Sequence, residues 1–203
     1  MEDKTQGHQP KNIVESTKSW ARQAWAHLES VRQASPLIQC ITNFVSMDLV
    51  ANVLLSAGAS PAMISCVEEK KHTQGADSTH ESTDAVAAAK SLAQTSGSIV
   101  AVSGAVDIVT DGQRVVGAQN GVAMLQKITA TGCSVTALIA AFVAIDPSRP
   151  FEATATALSV FGLAGEIGMS KANGPASLRA NLIDALHGLD RTTVLQHANV
   201  SNI

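Results

Sequence analysis

The segment from Lys127 to Ser134 has the residue types of an anion-binding turn. It reads Lys-Ile-Thr-Ala-Thr-Gly-Cys-Ser, and the residues from Cys133 to about Ile145 are apolar enough for a buried helix. We interpret the segment as the tail of a strand that runs through small residues into a helix N-terminus. Backbone N–H groups and the positive end of the helix dipole would then point at one spot. That arrangement suits an anion such as a transferring phosphoryl group.

Cys133 is the side chain of this turn that could take part in chemistry. A helix N-terminus favours the thiolate form of cysteine, so the thiol could act as a base, a nucleophile or a polar positioning group. Judged by residue types alone, a buried structural cysteine is an equally good interpretation.

A second polar pair follows a predicted strand near the start of the chain. Leu37–Ile41 is apolar enough for a mostly buried strand, and Thr42 and Asn43 come directly after it. Polar residues just beyond a strand often face a ligand. The next apolar residues recur at helical spacing as far as Gly58, and Pro61–Cys66 has the composition of another strand. We therefore predict a βαβ unit.

The rest of the chain supplies the elements that must position these residues. Alternating strands and helices followed by a helical end predict one α/β layered domain over residues 20–203. The predicted features are a flexible tail at 1–19, a lead-in helix from Trp20, a polar surface loop at about 67–84, a helix to about Ala93, a buried strand Ile99–Val102, a hairpin of 106–110 with 115–118, and helices at 133–145, 151–172 and 176–189. Asp111-Gly112 is a preferred hairpin dipeptide, so Asp111 is predicted to be a turn residue and not a catalytic acid.

Composition excludes several classes of function. The chain has 203 residues, of which 45% are hydrophobic and 15% charged, so one domain with a sizeable core is expected. Its 14 basic and 17 acidic residues cannot form the basic stripe that nucleic acids require. Aromatic residues make up only 3%, too few for base-stacking platforms.

The cysteines and the apolar segments indicate the compartment. Three cysteines without a C-x-x-C pair argue against both a disulfide framework and a zinc knuckle, and they favour a reducing environment. The first twenty residues have no apolar core of a secretory signal, and no apolar stretch reaches the roughly 20 residues of a membrane span. The sequence therefore predicts a cytoplasmic protein with no membrane partner.

Four segments in this order resemble the hydroxyethylthiazole kinases of thiamine salvage, most of all their plant members. They are Cys40–Met47, Gly58–Pro61, Val102–Asp107 and Thr129–Cys133. The resemblance extends from about Val31 to Ile203, and the pairing of I-T-N with T-x-x-G-C is specific to this family among ribokinase-like kinases. It implies a ribokinase-like α/β fold with a layered parallel sheet flanked by helices. It also implies a homotrimer with sites between subunits, and transfer of the ATP γ-phosphate to the hydroxyl of 4-methyl-5-(2-hydroxyethyl)thiazole with the help of Mg²⁺.

The resemblance also assigns roles to positions of this chain. It implies that Met47, Asn43 and Thr42 contact the thiazole, and that Ser103, where relatives often have Thr, contacts ATP. Cys133 matches the residue beside the reacting hydroxyl. Ala130 belongs to the same substrate region and stands where many relatives have glycine, a change that is tolerated unless the position needs a positive φ. Thr129, Thr131 and Gly132 would supply backbone donors to the β- and γ-phosphates.

The resemblance implies that this chain lacks an internal segment. The family has additional residues between Cys66 and the Lys70-Lys71-His72 run, including central strands and the groups that handle Mg-bound phosphates. No protein metal ligands are therefore assigned here. We expect an impaired kinase, or alternatively a shortened isoform that acts as a binding or regulatory subunit or has no function. We expect Pro61–Ser65 to pair with Ile99–Val102 and so close the gap in the sheet.

Overall fold

A computed structural model describes residues 11–65 and 82–203 of the chain. The elements in chain order are α1 (Lys11–Ala34), β1 (Leu37–Thr42), α2 (Phe44–Ala57), β2 (Ser60–Ser65), α3 (Ser82–Ser96), β3 (Val100–Val102), β4 (Asp107–Thr110), β5 (Val115–Ala118), a 3-10 helix (Ala123–Lys127), α4 (Thr131–Ile145), α5 (Pro150–Met169), α6 (Pro175–Gly188), α7 (Arg191–His197) and β6 (Val200–Asn202). The polar loop expected at about 67–84 lies outside the described residues, except for its last three residues, which belong to α3.

The predicted βαβ unit is confirmed. β1 and β2 are parallel, in a register that runs from Leu37 opposite Ser60 to Thr42 opposite Ser65. Gly58 ends α2 with φ 94°, and its N–H bonds back to the last turn of the helix. A Cβ at this position would lie 2.8 Å from the Cα of Arg32, so glycine is required by both conformation and space.

The remaining strands form a second, antiparallel sheet with the order β3-β4-β5-β6. β4 and β5 make the predicted hairpin, and Gly112 in its turn has φ 92°. The Asp111 carboxylate accepts hydrogen bonds from the backbone N–H groups of Gln113 (2.9 Å) and Arg114 (2.7 Å). The prediction of Asp111 as a turn residue is confirmed.

The predicted pairing of β2 with β3 is wrong. Among the described strands, β2 bonds only to β1, and β3 bonds to β4 of the other sheet. β3 and β4 are separated by a short loop, whereas the path from β2 to β3 is long. The β3–β4 pairing closes a short loop at a small cost in chain entropy, whereas a β2–β3 pairing would have to close a much longer one.

The core lies between the helices and is built mainly from Ala, Val and Leu. α5 is buried along most of its length and packs against α6, α4 and α1. Close approach to α6 depends on Gly168, where a Cβ would lie 2.9 Å from the backbone nitrogen of Leu182. No helix in the described ranges is long and apolar enough to span a membrane.

Three local expectations differ from the structure. α1 begins at Lys11, inside the range expected to be a tail. The strand tail predicted before Thr129 is instead a 3-10 helix, Ala123–Lys127. Neither β1 nor β3 is mostly buried: Leu37 and Ile41 are 71% and 66% exposed, and Ala101 is also exposed. The apolar composition of these strands shows what they could bury but not whether a second layer covers them.

Candidate active site

The end of β1 and the start of α2 form the first part of the site. Asn43 is the N-cap of α2, and its Oδ1 accepts hydrogen bonds from the backbone N–H (3.0 Å) and the hydroxyl (2.9 Å) of Ser46. The Thr42 hydroxyl is also hydrogen-bonded to the Ser46 hydroxyl. Both predicted substrate-binding side chains are therefore held by one buried serine. Met47 lies half-buried one residue further along the first turn.

The turn before α4 forms the second part. Ala130 is the N-cap of α4 and has φ 73°, a left-handed conformation that is unfavourable for alanine. Because position 130 has a positive φ, alanine is costly here compared with the glycine that many relatives have. The Thr131 hydroxyl donates to the carbonyls of Leu125 (3.3 Å) and Ile128 (3.2 Å), so the donor that Thr131 can offer an anion is its backbone N–H.

Gly132 and Cys133 are the second and third residues of α4, and both are exposed. The first N–H groups of a helix have no partner within it, so they are available to an anion. A Cβ at position 132 would have no neighbouring atom within 4 Å, which leaves room for a ligand. The predicted helix N-terminal position of Cys133 is confirmed, and the cysteine is not enclosed by aliphatic side chains.

The two parts lie close together because α4 packs against both β1 and α2. An open groove of about 330 Å³ lies between the start of α2, the turn before α4 and the N-terminus of α6. Its lining residues are Val45, Lys127, Ile128, Thr129, Pro175, Ala176 and Arg179. Thr129 therefore faces a groove, whereas Cys133 does not line this one. This groove is therefore not a cleft at Cys133.

Ser103 lies apart from these residues in sequence and in sheet. It is exposed at the start of the loop between β3 and β4, in the antiparallel sheet. In the same loop, the Gly104 N–H donates a hydrogen bond to Asp107 Oδ1 (2.9 Å). Burial raises the pKa of Asp107, and the hydrogen bond from Gly104 opposes this effect.

The resemblance implies a Mg²⁺ ion at the phosphates. Across residues 11–65 and 82–203, no three His, Cys, Asp or Glu side chains come together in a way that could hold a metal. Mg²⁺ prefers oxygen ligands, usually including one or two carboxylates. No chemical step through a metal is therefore derived from this part of the chain.

Several residues at the site had not been predicted. Ser46 connects Thr42 with Asn43, and its position three residues after an asparagine is the spacing of a helix N-cap contact. Arg179 comes from α6, far away in sequence, and its guanidinium pairs with the Asp48 carboxylate of α2. No local pattern could place Arg179 at this groove, because only the packing of α2 against α6 brings it there.

A βαβ unit whose polar strand end lies beside a second helix N-terminus is typical of α/β proteins that bind anionic ligands. Comparison with known proteins identifies the family. A sequence profile of the hydroxyethylthiazole kinase family matches residues 28–72 and 64–192. The chain belongs to this family.

Individual relatives agree with this assignment. The hydroxyethylthiazole kinase of Arabidopsis thaliana is 46% identical, with 91% of this chain and 96% of the relative covered. The enzyme of Zea mays is 41% identical, with 90% and 94% covered. A solved structure of the hydroxyethylthiazole kinase protein from Pyrococcus horikoshii OT3 superposes with a TM-score of 0.77 at 25% identity, covering 90% of this chain and 99% of that one. The ribokinase-like α/β fold is confirmed, and among the described strands parallel pairing is limited to β1 and β2.

The same comparisons locate a difference from the relatives. The profile matches in two pieces that meet at residues 64–72, where the missing segment was expected. The alignment to the Arabidopsis thaliana enzyme is 266 positions long, more than the 203 residues of this chain. Part of the relative therefore has no counterpart here. Most of the junction lies outside the described residues.

Proposed function

We propose that this protein phosphorylates the hydroxyl of 4-methyl-5-(2-hydroxyethyl)thiazole with ATP, at a rate far below that of longer family members. The observation that supports this most is the packing of α4 against β1 and α2. It brings the segment with Thr42, Asn43 and Met47 close to the turn that begins at Thr129. These are the two motifs that distinguish the family.

The roles of the site residues follow from their positions. Met47, with Thr42 and Asn43 behind it, contacts the thiazole ring, and Ala130 closes the same region. Thr129, Thr131 and Gly132 bind the phosphates of ATP, the last two through backbone N–H groups at the positive end of α4. Ser103 contacts ATP from the other sheet.

Cys133 lies beside the acceptor hydroxyl in this proposal. In the reaction the hydroxyl oxygen attacks the γ-phosphorus, the bond to the β-phosphate oxygen breaks, and the hydroxyl proton leaves the oxygen. Cys133 lies in the first turn of α4, where it would orient that hydroxyl and, in its thiolate form, receive its proton to become the thiol. Phosphoryl transfer depends mostly on positioning and charge stabilisation, so this contribution is modest compared with that of the phosphate-binding groups.

We expect a low rate because the resemblance assigns the groups that handle Mg-bound phosphates to the segment that this chain lacks. Mg²⁺ neutralises charge on the β- and γ-phosphates, and it supplies a large share of the electrostatic stabilisation in such reactions. The described residues do not provide a carboxylate cluster to place it. This observation also favours the second candidate function, a shortened isoform that binds the thiazole or other subunits without significant turnover.

Association between copies is part of the proposal. Phe44 and Val45, at the start of α2, are 74% and 72% exposed beside the candidate substrate residues. Exposed apolar side chains next to a site suit a site that a neighbouring subunit completes, as in the trimer expected for the family.

The deciding experiment measures thiazole phosphate formation by the purified chain with ATP and Mg²⁺, alongside a full-length plant relative. We expect a rate at least a hundredfold below that of the relative. Cys133→Ser and Cys40→Ser form a matched pair of cysteine variants. Only the Cys133 change should reduce the residual rate, because Cys40 lies within β1. A rate comparable to the relative's would contradict the proposed impairment. Calorimetry that detects thiazole binding without turnover would favour the second candidate.

A further inference from the structure

The loop between β3 and β4 is held in shape by contacts on both sides. On one side, the Gly104 N–H donates to Oδ1 of Asp107 at 2.9 Å, and Asp107 is the first residue of β4. On the other side, Val106 packs over Gly117 of β5, where a Cβ would lie 2.8 Å from the Val106 Cγ1 atom. The loop carries Ser103, the residue proposed to contact ATP.

The turn at Gly104 is tight. A Cβ at this position would lie 3.3 Å from the Val106 carbonyl oxygen, closer than most side chains tolerate. A change of the loop backbone would therefore have to break the hydrogen bond at Gly104 or lift Val106 from Gly117. Either event would move Ser103, because it directly precedes Gly104.

Asp107 is an unusual residue for a purely local turn. It is half-buried, and burying a carboxylate is unfavourable unless the group makes hydrogen bonds. A carboxylate that accepts from a backbone N–H makes a charge-assisted bond, about twice as strong as one between neutral groups. Such a bond holds the loop more firmly than an uncharged acceptor would.

We infer that Asp107 is a positioning residue of the nucleotide site: by accepting the Gly104 N–H, it holds the 103–106 loop in the shape that lets Ser103 bind ATP. The inference rests on the proposed function, since it requires that the chain binds ATP. Asp107 acts through the loop and does not itself touch the nucleotide.

The test is a fluorescence titration of the purified full chain with trinitrophenyl-ATP and Mg²⁺. Asp107→Ala removes the acceptor, and we expect nucleotide binding to weaken about five- to tenfold, the range of one lost hydrogen bond. Asp107→Asn keeps an acceptor oxygen in the same place but removes its charge, so it should weaken nucleotide binding less than Asp107→Ala does.

Asp111→Ala is the matched control. Its carboxylate accepts two backbone hydrogen bonds at the opposite end of the same hairpin, so its loss should lower the melting temperature without changing nucleotide affinity. The melting temperature of every variant is measured together with its affinity. A merely structural Asp107 would lower the melting temperature and leave the affinity alone.

Each outcome decides one question. Wild-type binding with unchanged affinity in Asp107→Ala overturns the inference alone, and so does equal weakening in Asp111→Ala. Failure of the wild type to bind nucleotide overturns the proposed function and the inference with it. If Asp107→Ala does not fold, Asp107→Leu replaces it, because leucine fills a similar space without an acceptor for the Gly104 N–H. Unchanged affinity in a folded Asp107→Leu would then overturn the inference.

Discussion

The two halves of the molecule bury their apolar residues to different extents. The helical half around α5 encloses several of its largest side chains fully, with Phe142 and Leu138 both at 0% exposure. The β1–α2–β2 unit is also rich in apolar residues, but it leaves Leu37, Ile41 and Phe44 exposed. The exposed unit ends where the family match breaks into two pieces. In the described residues the helical core is therefore closed at a distance from that break, whereas the adjacent sheet has only the two strands β1 and β2.

The largest expected effect on stability comes from replacing a phenylalanine by alanine in each half. Phe142→Ala should lower the free energy of unfolding by about 3–5 kcal/mol, because it removes a fully buried ring and leaves a cavity. Phe44→Ala should change it by less than about 0.5 kcal/mol, since an exposed side chain loses little. Urea unfolding followed by circular dichroism measures both. A large loss at Phe44 under conditions in which the chain is monomeric would mean that its own chain covers the ring, and the contrast between the halves would fail.

The next test compares two aspartate carboxylates, one in each half. His27 of α1 is buried against α5, and its Nε2 lies 3.0 Å from Oδ2 of Asp146. This hydrogen bond and weaker ones from Arg149 and Ser148 hold the pKa of Asp146 below its ordinary value. The pKa is lower in the folded state than in the unfolded state, so the stabilisation is present above about pH 4 and is lost as the pH falls further.

Asp146→Asn should therefore lower the urea midpoint at pH 7, and its difference from the wild type should shrink below about pH 4. Asp48→Asn is the control, because it breaks the exposed pair with Arg179, which we expect to contribute little. Urea midpoints of the wild type and both variants, measured at several pH values, test this prediction. A pH-independent difference for Asp146→Asn would show that packing at this position, and not charge, is responsible.

A smaller effect is expected at the turn where the two halves meet. Ala130→Gly should stabilise the protein by about 1 kcal/mol, because Ala130 has φ 73° and glycine adopts that conformation without strain. The same substitution at exposed Ala140 within α4 should destabilise it by about 0.5–1 kcal/mol. Thermal unfolding of both variants gives the signs. Destabilisation by Ala130→Gly would mean that the left-handed turn is absent in solution.

The smallest effect on stability is expected at Gly132. A substitution there distinguishes an effect on ATP binding from an effect on folding. A methyl group there meets open space, so Gly132→Ala should leave the melting temperature unchanged or slightly raised. It should nevertheless weaken ATP binding severalfold, because the phosphates would approach the same space. Calorimetric titration with ATP measures the affinity. Unchanged binding would place the phosphates elsewhere.

Local elements were predictable from the sequence because local rules determine them. The α2 helix follows from apolar spacing that ends at Gly58, and the hairpin follows from Asp111-Gly112. Cys133 could be placed at a helix N-terminus for the same reason, since small residues precede a long apolar run. The 3-10 helix and β6 were not predicted, because segments this short contain too few residues to show a period.

Partnerships between distant elements were not predictable in the same way. β2 and β3 are both apolar enough for a central strand, yet they belong to separate sheets. The φ of Ala130 depends on how the 3-10 helix enters α4, and Arg179 reaches the groove only because α6 packs against α2. Neither the φ of Ala130 nor the place of Arg179 can be predicted from the residues that are its neighbours in the sequence.

The family motifs, the helical and strand spacing of the βαβ unit, and the hairpin could all be derived from the residue types, because each motif or element is a pattern of neighbouring residues. The covered faces of β1, the separation of β2 from β3, and the shared contact of Thr42 and Asn43 with Ser46 are known only from the folded chain. These outcomes depend on the free-energy balance between competing contacts across the whole chain. Burial in particular depends on which layers are present, and the apolar residues of β1 stay exposed where the described chain supplies no second layer.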